Sequence, residues 1–290
     1  MNTPVFLVCH RGALGDFLLT LPVIYQLKQH YQSHRFIGLG KPEYMKLAFK
    51  AGLFDEIYNC ESAAYLPFFE GRVVPSEFQT LSYLLAWFQP LDEMQHYLER
   101  QKVKAVFYPP FPDGETKHML TYNAGVLPLF ALDTPLKADL SSLCPSVKQE
   151  SVLIHPGSGS TTKNYAPEFY LFIANELQTM GYKQIQFLLG PCELALEPLF
   201  KEHFPVIKPG NPYELAQALS SAKLYIGNDS GVSHLAGFLG RPSVAFYKAT
   251  NPAVWGIAGR QVYHVEATLE SIAMAKLQKV LKQLKGANIS

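Results

Sequence analysis

The sequence lacks several features that would assign it to a common class of protein. Its 25 basic and 24 acidic residues leave a net charge of +1, which excludes nucleic acid as an expected main partner. Its four cysteines are widely spaced and form no C-x-x-C pair, so we expect reduced thiols in a cytoplasmic protein. It contains no run of eighteen apolar residues, and its apolar N-terminus has no basic residues before it, which predicts a strand and neither a transmembrane helix nor a signal peptide.

Several catalytic and metal-binding motifs are also absent. The sequence has no D-x-D pair that would hold a metal ion beside a diphosphate, and no H-E-x-x-H motif or Cys/His cluster for zinc. It has no G-x-S-x-G nucleophile elbow, and its first strand–helix unit lacks the G-x-G-x-x-G dinucleotide motif. We therefore expect a protein without a metal ion and without a bound cofactor.

Short apolar runs alternate with helical patterns along most of the chain. A first series of these runs occupies residues 1–140, and a polar stretch with two prolines at 133–150 interrupts the alternation. A second series occupies residues 150–266, and an amphipathic helix is predicted within 267–290. Two such series predict two doubly wound α/β domains joined by a linker.

Three segments of the first domain have patterns that are harder to assign. Phe17–His30 has apolar residues at helical spacing and is predicted to be one helix that Pro22 kinks. Residues 61–76 are rich in proline and aromatic residues and are predicted to be a loop. Leu81–Leu91 is the most lipophilic window of the chain, and its length predicts a buried helix that does not span a membrane.

Ligands of doubly wound folds bind in the loops that follow the carboxyl ends of the strands. Four such loops carry groups that can do chemistry: HRGALGD (10–16), HPGSGSTTK (155–163), LGPCE (189–193) and GNDSGVSHLAG (227–237).

The first loop places a carboxylate at the start of a helix. Gly12 and Gly15 allow a tight turn, and Asp16 follows them directly. Asp16 is either the N-cap of the helix or a general base at the mouth of a cleft, and the loop alone does not distinguish these roles. His10 is the next candidate base.

The second loop has the composition of a phosphate-binding cradle. Its small residues allow backbone N–H groups to approach an anion, its hydroxyls include that of Ser158, and Lys163 adds a positive charge. It lacks the spacing of a Walker A loop. The alternative is a polar loop that caps the helix after it.

The third and fourth loops add polar groups at two further helix starts. Glu193 could accept hydrogen bonds from ribose hydroxyls, or could favour the helix dipole. Asp229 and Ser230 are good N-cap residues, and Gly231 keeps the first turn open for a diphosphate. Asp229 beside a diphosphate would orient the loop or meet a hydroxyl, and His234 is either a packed helix residue or a ligand-binding one.

Taken in order, these loops resemble glycosyltransferase family 9, the ADP-heptose:lipopolysaccharide heptosyltransferases. The similar motifs are Gly15-Asp16 followed by Thr20 and Pro22, His155-Pro156-Gly157-Ser158 with Lys163, Gly190 with Glu193, Gly227 to Ala236, and Thr250-Asn251-Pro252 with Gly256. One departure is Asn164-Tyr165, at the position where the family often has Arg-Trp.

The resemblance implies a GT-B fold of two Rossmann-like domains that face a cleft, with a C-terminal helix that crosses back. It also implies an inverting, metal-independent transfer of heptose or a related sugar from an ADP-heptose-like nucleotide sugar. The acceptor would be a glycan or glycolipid of lipopolysaccharide biosynthesis, and Asp16 would be the general base. The donor-binding residues carried over from the family are Ser158, Lys163, Glu193, Asp229, Ser230, Gly231 and His234.

Two other functions remain open at this point. A nucleotide-sugar hydrolase or epimerase of the GT-B type would use the same loops and would release product without an acceptor. A non-catalytic nucleotide-sugar binder would need no base, so the presence of both Asp16 and Lys163 argues against it.

The C-terminal helix carries an apolar face beside a row of lysines. The face comprises Leu269, Ile272, Ala273, Leu277, Val280, Leu281 and Leu284, and the lysines are Lys276, Lys279, Lys282 and Lys285. Either the helix only docks on the domains, or its lysines also make weak peripheral contact with anionic lipid. The second alternative would bring the protein to the cytoplasmic face of the bacterial inner membrane.

Overall fold

The structure is a computed structural model that describes residues 3–114, 117–134, 136 and 151–286. The chain divides into two units, Met1–Lys137 and Ala138–Ser290. This division falls within the stretch 133–150 that was predicted to be a linker, of which most residues lie outside the described ranges.

The described part of the first unit is built around a parallel sheet of five strands in the order β3-β2-β1-β4-β5. The strands are β1 (Val5–His10), β2 (Arg35–Gly40), β3 (Glu56–Asn59), β4 (Leu81–Ala86) and β5 (Lys104–Phe107). The helices are α1 (Leu14–Leu18), α2 (Leu21–His30), α3 (Pro42–Lys50), α4 (Leu66–Phe69), α5 (Asp92–Arg100) and α6 (Met119–Ala124). The strand order reverses between β1 and β4, and such a switch point is where these folds bind ligands.

The described part of the second unit contains a parallel sheet of six strands in the order β11-β10-β9-β6-β7-β8. The strands are β6 (Ser151–His155), β7 (Ile185–Leu188), β8 (Val206–Ile207), β9 (Ala222–Asn228), β10 (Ser243–Tyr247) and β11 (Val262–Glu266). The helices are α7 (Pro167–Thr179), α8 (Glu197–Lys201), α9 (Pro212–Ser220), α10 (Gly231–Phe238), α11 (Pro252–Trp255) and α12 (Glu270–Gly286). The switch point lies between β6 and β9, and the doubly wound α/β class is confirmed for both units.

The predicted buried helix at Leu81–Leu91 is wrong. Its first six residues form β4, which pairs with β1 on one side and β5 on the other. Leu84, Leu85 and Ala86 are fully buried because helices cover both faces of such a sheet. A central parallel strand reads as a continuous apolar run, which periodicity cannot distinguish from a buried helix.

The single kinked helix predicted at Phe17–His30 is also wrong. The structure has two helices there, because α1 ends at Leu18 and α2 begins at Leu21. Pro22 lies in the first turn of α2, where its missing N–H leaves no hydrogen bond unmade. Proline therefore starts a new helix at this position and does not bend an existing one.

The segment predicted as a loop at 61–76 contains a 3₁₀ turn, Ala63–Tyr65, that leads directly into α4. Its aromatic residues are part of the core. Tyr65 stacks on Phe78 with ring centroids 5.7 Å apart, and Phe68 contacts the same ring edge-on at 5.8 Å. The aromatic rings of this segment thus lie on short helical turns and pack in the core of the first unit.

The apolar face of α12 packs in the core of the second unit. Ala273, Met274, Leu277, Leu281 and Leu284 belong to the same buried cluster as the strands of that unit. The face is narrower than the sequence predicted, because Leu269 and Ile272 are 60% and 45% exposed. The return of this helix to the first domain stays a prediction. Among the described residues, the helices include none both long and apolar enough to cross a membrane.

Candidate active site

A cavity of about 260 Å³ lies at the switch point of the first unit, where β1 and β4 end. The residues that line it include His10, Arg11, Asp16, Thr20, Trp87 and Asn123. Its polar groups come from the first loop, from the residue after β4 and from α6. The strand order brings the ends of β1 and β4 together, and the hydrogen bond between Trp87 and Asn123 joins α6 to them.

Asp16 lies one turn inside the start of α1. The N-cap position belongs to Ala13, so the interpretation of Asp16 as the N-cap is wrong. Asp16 is the third residue of the helix, and its Oδ2 accepts a hydrogen bond from the Ala13 N–H at 3.3 Å. The carboxylate is half-buried and lines the cavity, so it is within reach of a ligand there, and its role as a general base stays a prediction.

His10 lies at the end of β1, beside the carboxylate-bearing turn. It is 4% exposed, and its Nδ1 accepts a hydrogen bond from the Gly12 N–H at 3.3 Å. Burial, together with the positive charge of Lys41, lowers the pKa of His10 to about 4. The imidazole is therefore neutral at pH 7 and carries its proton on Nε2. This tautomer makes His10 a hydrogen-bond donor and argues against it as the alternative base.

Three other polar side chains of the cavity are used by the fold. The Thr20 hydroxyl donates to the Phe17 carbonyl at 2.7 Å. Trp87 Nε1 donates to Asn123 Oδ1 at 3.1 Å, and Asn123 Nδ2 donates to the Leu19 carbonyl at 3.1 Å. These bonds hold the wall of the cavity in place.

The second unit presents the predicted cradle directly after β6. The Ser158 hydroxyl lies 2.7 Å from both the Ser160 carbonyl and Asn164 Oδ1, so it donates to one of them. Asn228 Nδ2 donates to the Pro156 carbonyl at 2.8 Å and contacts Asn164 Oδ1 at 3.1 Å. The end of β9 therefore holds the loop that follows β6.

The alternative role of this loop as a helix cap is wrong. Helix α7 begins at Pro167 and has Ala166 in its N-cap position, and alanine has no hydroxyl that could cap it. The hydroxyl of Ser158 is used within the loop itself. The cradle is thus a separate structure, with its own hydrogen bonds, that precedes the helix.

A buried carboxylate stands at the centre of the second switch point. Asp229 Oδ2 is 2.7 Å from Lys163 Nζ and accepts a hydrogen bond from the Thr250 hydroxyl at 2.7 Å. His234 Nε2 lies 3.9 Å from the other oxygen, Oδ1. The Asp229 side chain is only 5% exposed, so these groups compensate the cost of burying its charge. The role of Asp229 towards a ligand stays a prediction.

Helix α10 begins immediately after this carboxylate. Ser230 is its N-cap, and the Ser230 hydroxyl accepts a hydrogen bond from the Ser233 N–H at 3.3 Å. Gly231 is the first residue of the helix, and His234 is buried one turn later. The N-terminal N–H groups of the eight-residue helix give this end a partial positive charge beside Lys163.

Glu193 is held against the cradle from the side of β7. It lies in a 3₁₀ segment, Pro191–Leu196, is 6% exposed, and its Oε2 accepts a hydrogen bond from the Gly190 N–H at 2.9 Å. A Cβ atom on Gly157 would come within 1.9 Å of Glu193 Oε1. Glycine is therefore required at position 157, because the Glu193 carboxylate fills the space beside it.

The structure brings the seven predicted donor-side residues together at the carboxyl ends of β6, β7 and β9. Asp16, the predicted base, lies in the first unit. Lys248 belongs to none of the sequence motifs, yet its Nζ donates to the Asn164 carbonyl at 2.7 Å and lies 5.4 Å from the centre of the Tyr165 ring. Its position directly after β10 could have drawn attention to it. Among the described residues, no group of three or more His, Cys, Asp or Glu could hold a metal ion, and metal independence stays a prediction.

Two doubly wound units in one chain, with candidate ligand sites at their switch points, define the GT-B class of protein. The family model of glycosyltransferase family 9 (heptosyltransferase) matches residues 116–285, more than half of the sequence. The chain belongs to this family, as the ordered motifs predicted.

Individual relatives agree with this assignment. Lipopolysaccharide heptosyltransferase 1 of Campylobacter coli is 32% identical over 133 residues, which are 42% of this chain and 39% of that protein. The structure of E. coli heptosyltransferase WaaC with ADP is similar with a TM-score of 0.74 and 17% identity, over 96% of this chain and 99% of that one. A family 9 glycosyltransferase from Veillonella parvula gives a TM-score of 0.73 and 18% identity, over 96% and 90% of the two chains. At these identities the two structures show a common fold.

Proposed function

We propose that this chain is an inverting, metal-independent glycosyltransferase that moves a heptose or a related sugar from a nucleotide diphosphate to a cell-envelope glycan or lipid-linked acceptor. The observation that carries the proposal is the Lys163–Asp229 pair beside the N-terminus of α10, next to a preformed cradle. The solved relative that contains ADP and the lipopolysaccharide heptosyltransferase relative support an ADP-heptose-like donor.

The donor side would bind the diphosphate with fixed positive charge. The Asp229 carboxylate holds the Lys163 ammonium in one position, and the N–H groups of the first turn of α10 lie beside it. As the sugar–phosphate bond breaks, negative charge grows on the leaving diphosphate. Groups that are already in place stabilise this charge without a cost of reorganisation.

The acceptor side would supply the base. The Asp16 carboxylate takes the proton of an acceptor hydroxyl as its oxygen attacks the anomeric carbon. The bond from that carbon to the phosphate oxygen breaks on the opposite face, so one displacement inverts the configuration. In this scheme the two units divide the reaction, because the nucleophile is activated in one and the leaving group is stabilised in the other.

The test is a donor screen followed by a turnover assay. Thermal unfolding in the presence of ADP-, GDP-, UDP- and CMP-sugars identifies the donor, because a ligand of the folded state raises the unfolding temperature. We expect ADP-heptose to stabilise the protein most and to release ADP only when an acceptor is added, with unchanged rates in EDTA. Release of free sugar without an acceptor would assign the protein to the hydrolase or epimerase alternative. No stabilisation by any donor would contradict the proposal.

The proposal extends to location. A cytoplasmic enzyme with a lipid-linked acceptor would benefit from weak peripheral contact with the anionic inner face of the membrane. Leu269, which precedes α12, and Ile272 in its first turn are exposed to solvent, and Lys279 and Lys282 are exposed further along the helix. Apolar residues beside cations support this contact.

A further inference from the structure

His10 has a hydrogen-bond donor, Nε2–H, that no described residue of the protein uses. His10 is 4% exposed and lines the cavity at the switch point of the first unit, and none of the described residues accepts a hydrogen bond from its Nε2. Because His10 lines the cavity, an acceptor atom of a ligand in that cavity would complete the hydrogen bonding of its ring. In the same cavity Thr20, Trp87 and Asn123 direct their hydrogen bonds to other protein groups.

His10 and Asp16 border the same small space. A Cβ atom built on Gly12 would lie 2.8 Å from His10 Cε1, which is bonded to Nε2, and 3.3 Å from Asp16 Oδ2. Only glycine therefore fits at position 12 between these two side chains, and both of them line the cavity. A ligand in the cavity would meet a donor from the imidazole and an acceptor from the carboxylate.

The hydrogen bond from Gly12 fixes what His10 can do. Because Nδ1 accepts from the backbone N–H, the ring must carry its proton on Nε2, and a doubly protonated ring would lose that bond. Burial keeps the ring neutral by lowering its pKa to about 4. His10 is thus a donor without charge, and it does not compete with Asp16 for the proton of the acceptor.

We propose that His10 is a specificity-determining residue of the acceptor site: its Nε2–H donates to a second hydroxyl of the sugar acceptor, next to the hydroxyl that gives its proton to Asp16. The acceptor class is a sugar with two adjacent hydroxyls. The cavity of about 260 Å³ is smaller than the roughly 300–1,000 Å³ of pockets for drug-sized ligands, which fits a single sugar ring. Phe111, 49% exposed in the wall, offers that ring an apolar surface.

This inference rests on the proposed function, and its test uses deoxygenated acceptors. The probes are methyl glycosides of hexoses and heptoses and their monodeoxy analogues, with ADP-heptose as donor and ADP release as readout. In the unmodified protein, removal of one particular hydroxyl should raise the acceptor KM by about tenfold, because the buried donor then lacks its partner. In His10→Leu the parent acceptor should show the same rise, and that deoxy analogue should bind no worse than the parent.

Two variants separate this role from a structural one. His10→Gln keeps an N–H group near the position of Nε2 and should recover most of the discrimination, and the donor KM should be unchanged in both His10 variants. His30→Gln makes the same substitution on an exposed histidine of α2 and serves as the control. If His10→Leu still discriminates between parent and deoxy analogue, the proposal is overturned.

A binding measurement keeps the two proposals distinguishable. The ring ¹⁵N signals of His10, assigned by their loss in His10→Leu, should report a neutral ring with the proton on Nε2, and Nε2 should shift when a methyl glycoside of the panel binds. If the unmodified protein releases no ADP with any donor, the proposed function fails on its own. If the His10 signals are unmoved by every glycoside of the panel, the inference about His10 fails, whatever the turnover.

Discussion

The two switch points of this protein differ in how their buried ionisable groups are accommodated. In the second unit a buried carboxylate, Asp229, is compensated inside the protein by Lys163 and Thr250. In the first unit the buried group is His10, which is kept neutral, and Asp16 is half-buried. The second unit pairs its buried charge inside the protein, whereas the cavity of the first unit is lined by a neutral imidazole, the Asp16 carboxylate and Arg11. The match to the family model, at residues 116–285, covers the described part of the second unit and little of the first.

The largest effect is expected when the proposed base, Asp16, is removed, and it tests the difference between the two units directly. Asp16→Asn keeps the shape of the side chain and removes its ability to take a proton. If the first unit performs the chemistry, turnover should fall by about a hundredfold or more. The affinity for ADP, measured by calorimetry, should stay within twofold, because the proposed donor-binding residues lie in the other unit.

The control for Asp16→Asn is the thermal unfolding temperature. The hydrogen bond to the Ala13 N–H can be kept by the Asn side-chain oxygen, so little stability should be lost. Turnover close to that of the unmodified protein would mean that Asp16 is not the base.

The donor side could be predicted from the sequence further than the acceptor side. Ser158, Lys163 and Glu193 follow strands in short motifs, and the position of each is set by the strand that precedes it. The ion pair of Lys163 with Asp229 joins residues 66 positions apart, so sequence spacing gave no sign of it. It follows from the strand order, which places β6 beside β9.

The cavity of the first unit could not be predicted because its wall depends on an element that was misassigned. Trp87 follows β4, and β4 had been predicted as part of a buried helix. Without that strand beside β1, nothing brings Trp87 to His10, whose rings lie 6.0 Å apart. A continuous apolar run is typical of a central parallel strand and equally of a buried helix, so the sequence pattern does not distinguish the two.

The neutral His10 predicts a pH dependence of stability in the first unit. Its folded-state pKa of about 4 lies below the unfolded value of 6.5, so the unfolded chain binds the proton first as the pH falls. The contribution of the neutral His10 to the free energy of unfolding is fully present above pH 6.5. It is lost between pH 6.5 and about 4, and the whole loss is about 3 kcal/mol. Urea unfolding at several pH values should show this loss in the unmodified protein.

The matched variant for this measurement is His10→Gln, which cannot titrate. The difference in unfolding free energy between the two proteins should shift in favour of the variant as the pH falls from 7 to 4. A difference that stays constant over that range would mean that His10 titrates normally in the folded protein.

The Lys163–Asp229 pair of the second unit predicts a smaller effect, a loss of affinity for ADP that adenosine does not share. Lys163→Ala removes a charge-assisted contact and should weaken the binding of ADP by about 1.5–3 kcal/mol, and that of adenosine much less. It also leaves Asp229 buried without its nearest cation, which should lower the stability of the protein.

The double variant Lys163→Ala/Asp229→Asn separates these two effects. Removing the unpaired charge should restore part of the stability without restoring the affinity for ADP. Equal losses for ADP and adenosine in Lys163→Ala would show that Lys163 does not contact the diphosphate.

The smallest expected effect concerns α12. Lysines near an anionic membrane contribute about 1 kcal/mol each, and salt screens this attraction. Lys276 Nζ donates to the Glu266 carbonyl at 2.5 Å, which ties it to the protein, while Lys279 and Lys282 are exposed. The side chain of Lys285 lies outside the described residues. We therefore expect weak binding that sedimentation with anionic vesicles detects at low salt and loses at high salt.

Replacing the four lysines of α12 by glutamine should abolish this binding, and the same change at Lys46 and Lys50 provides the control. These two lysines are exposed on α3 of the first unit, so they test whether any loss of positive charge has the same effect. An equal reduction of vesicle binding by the α12 variant and by the α3 variant would mean that the attraction to the vesicles is nonspecific. Absence of binding by the unmodified protein at low salt would mean that α12 only completes the core of its unit, which its five buried apolar residues already do.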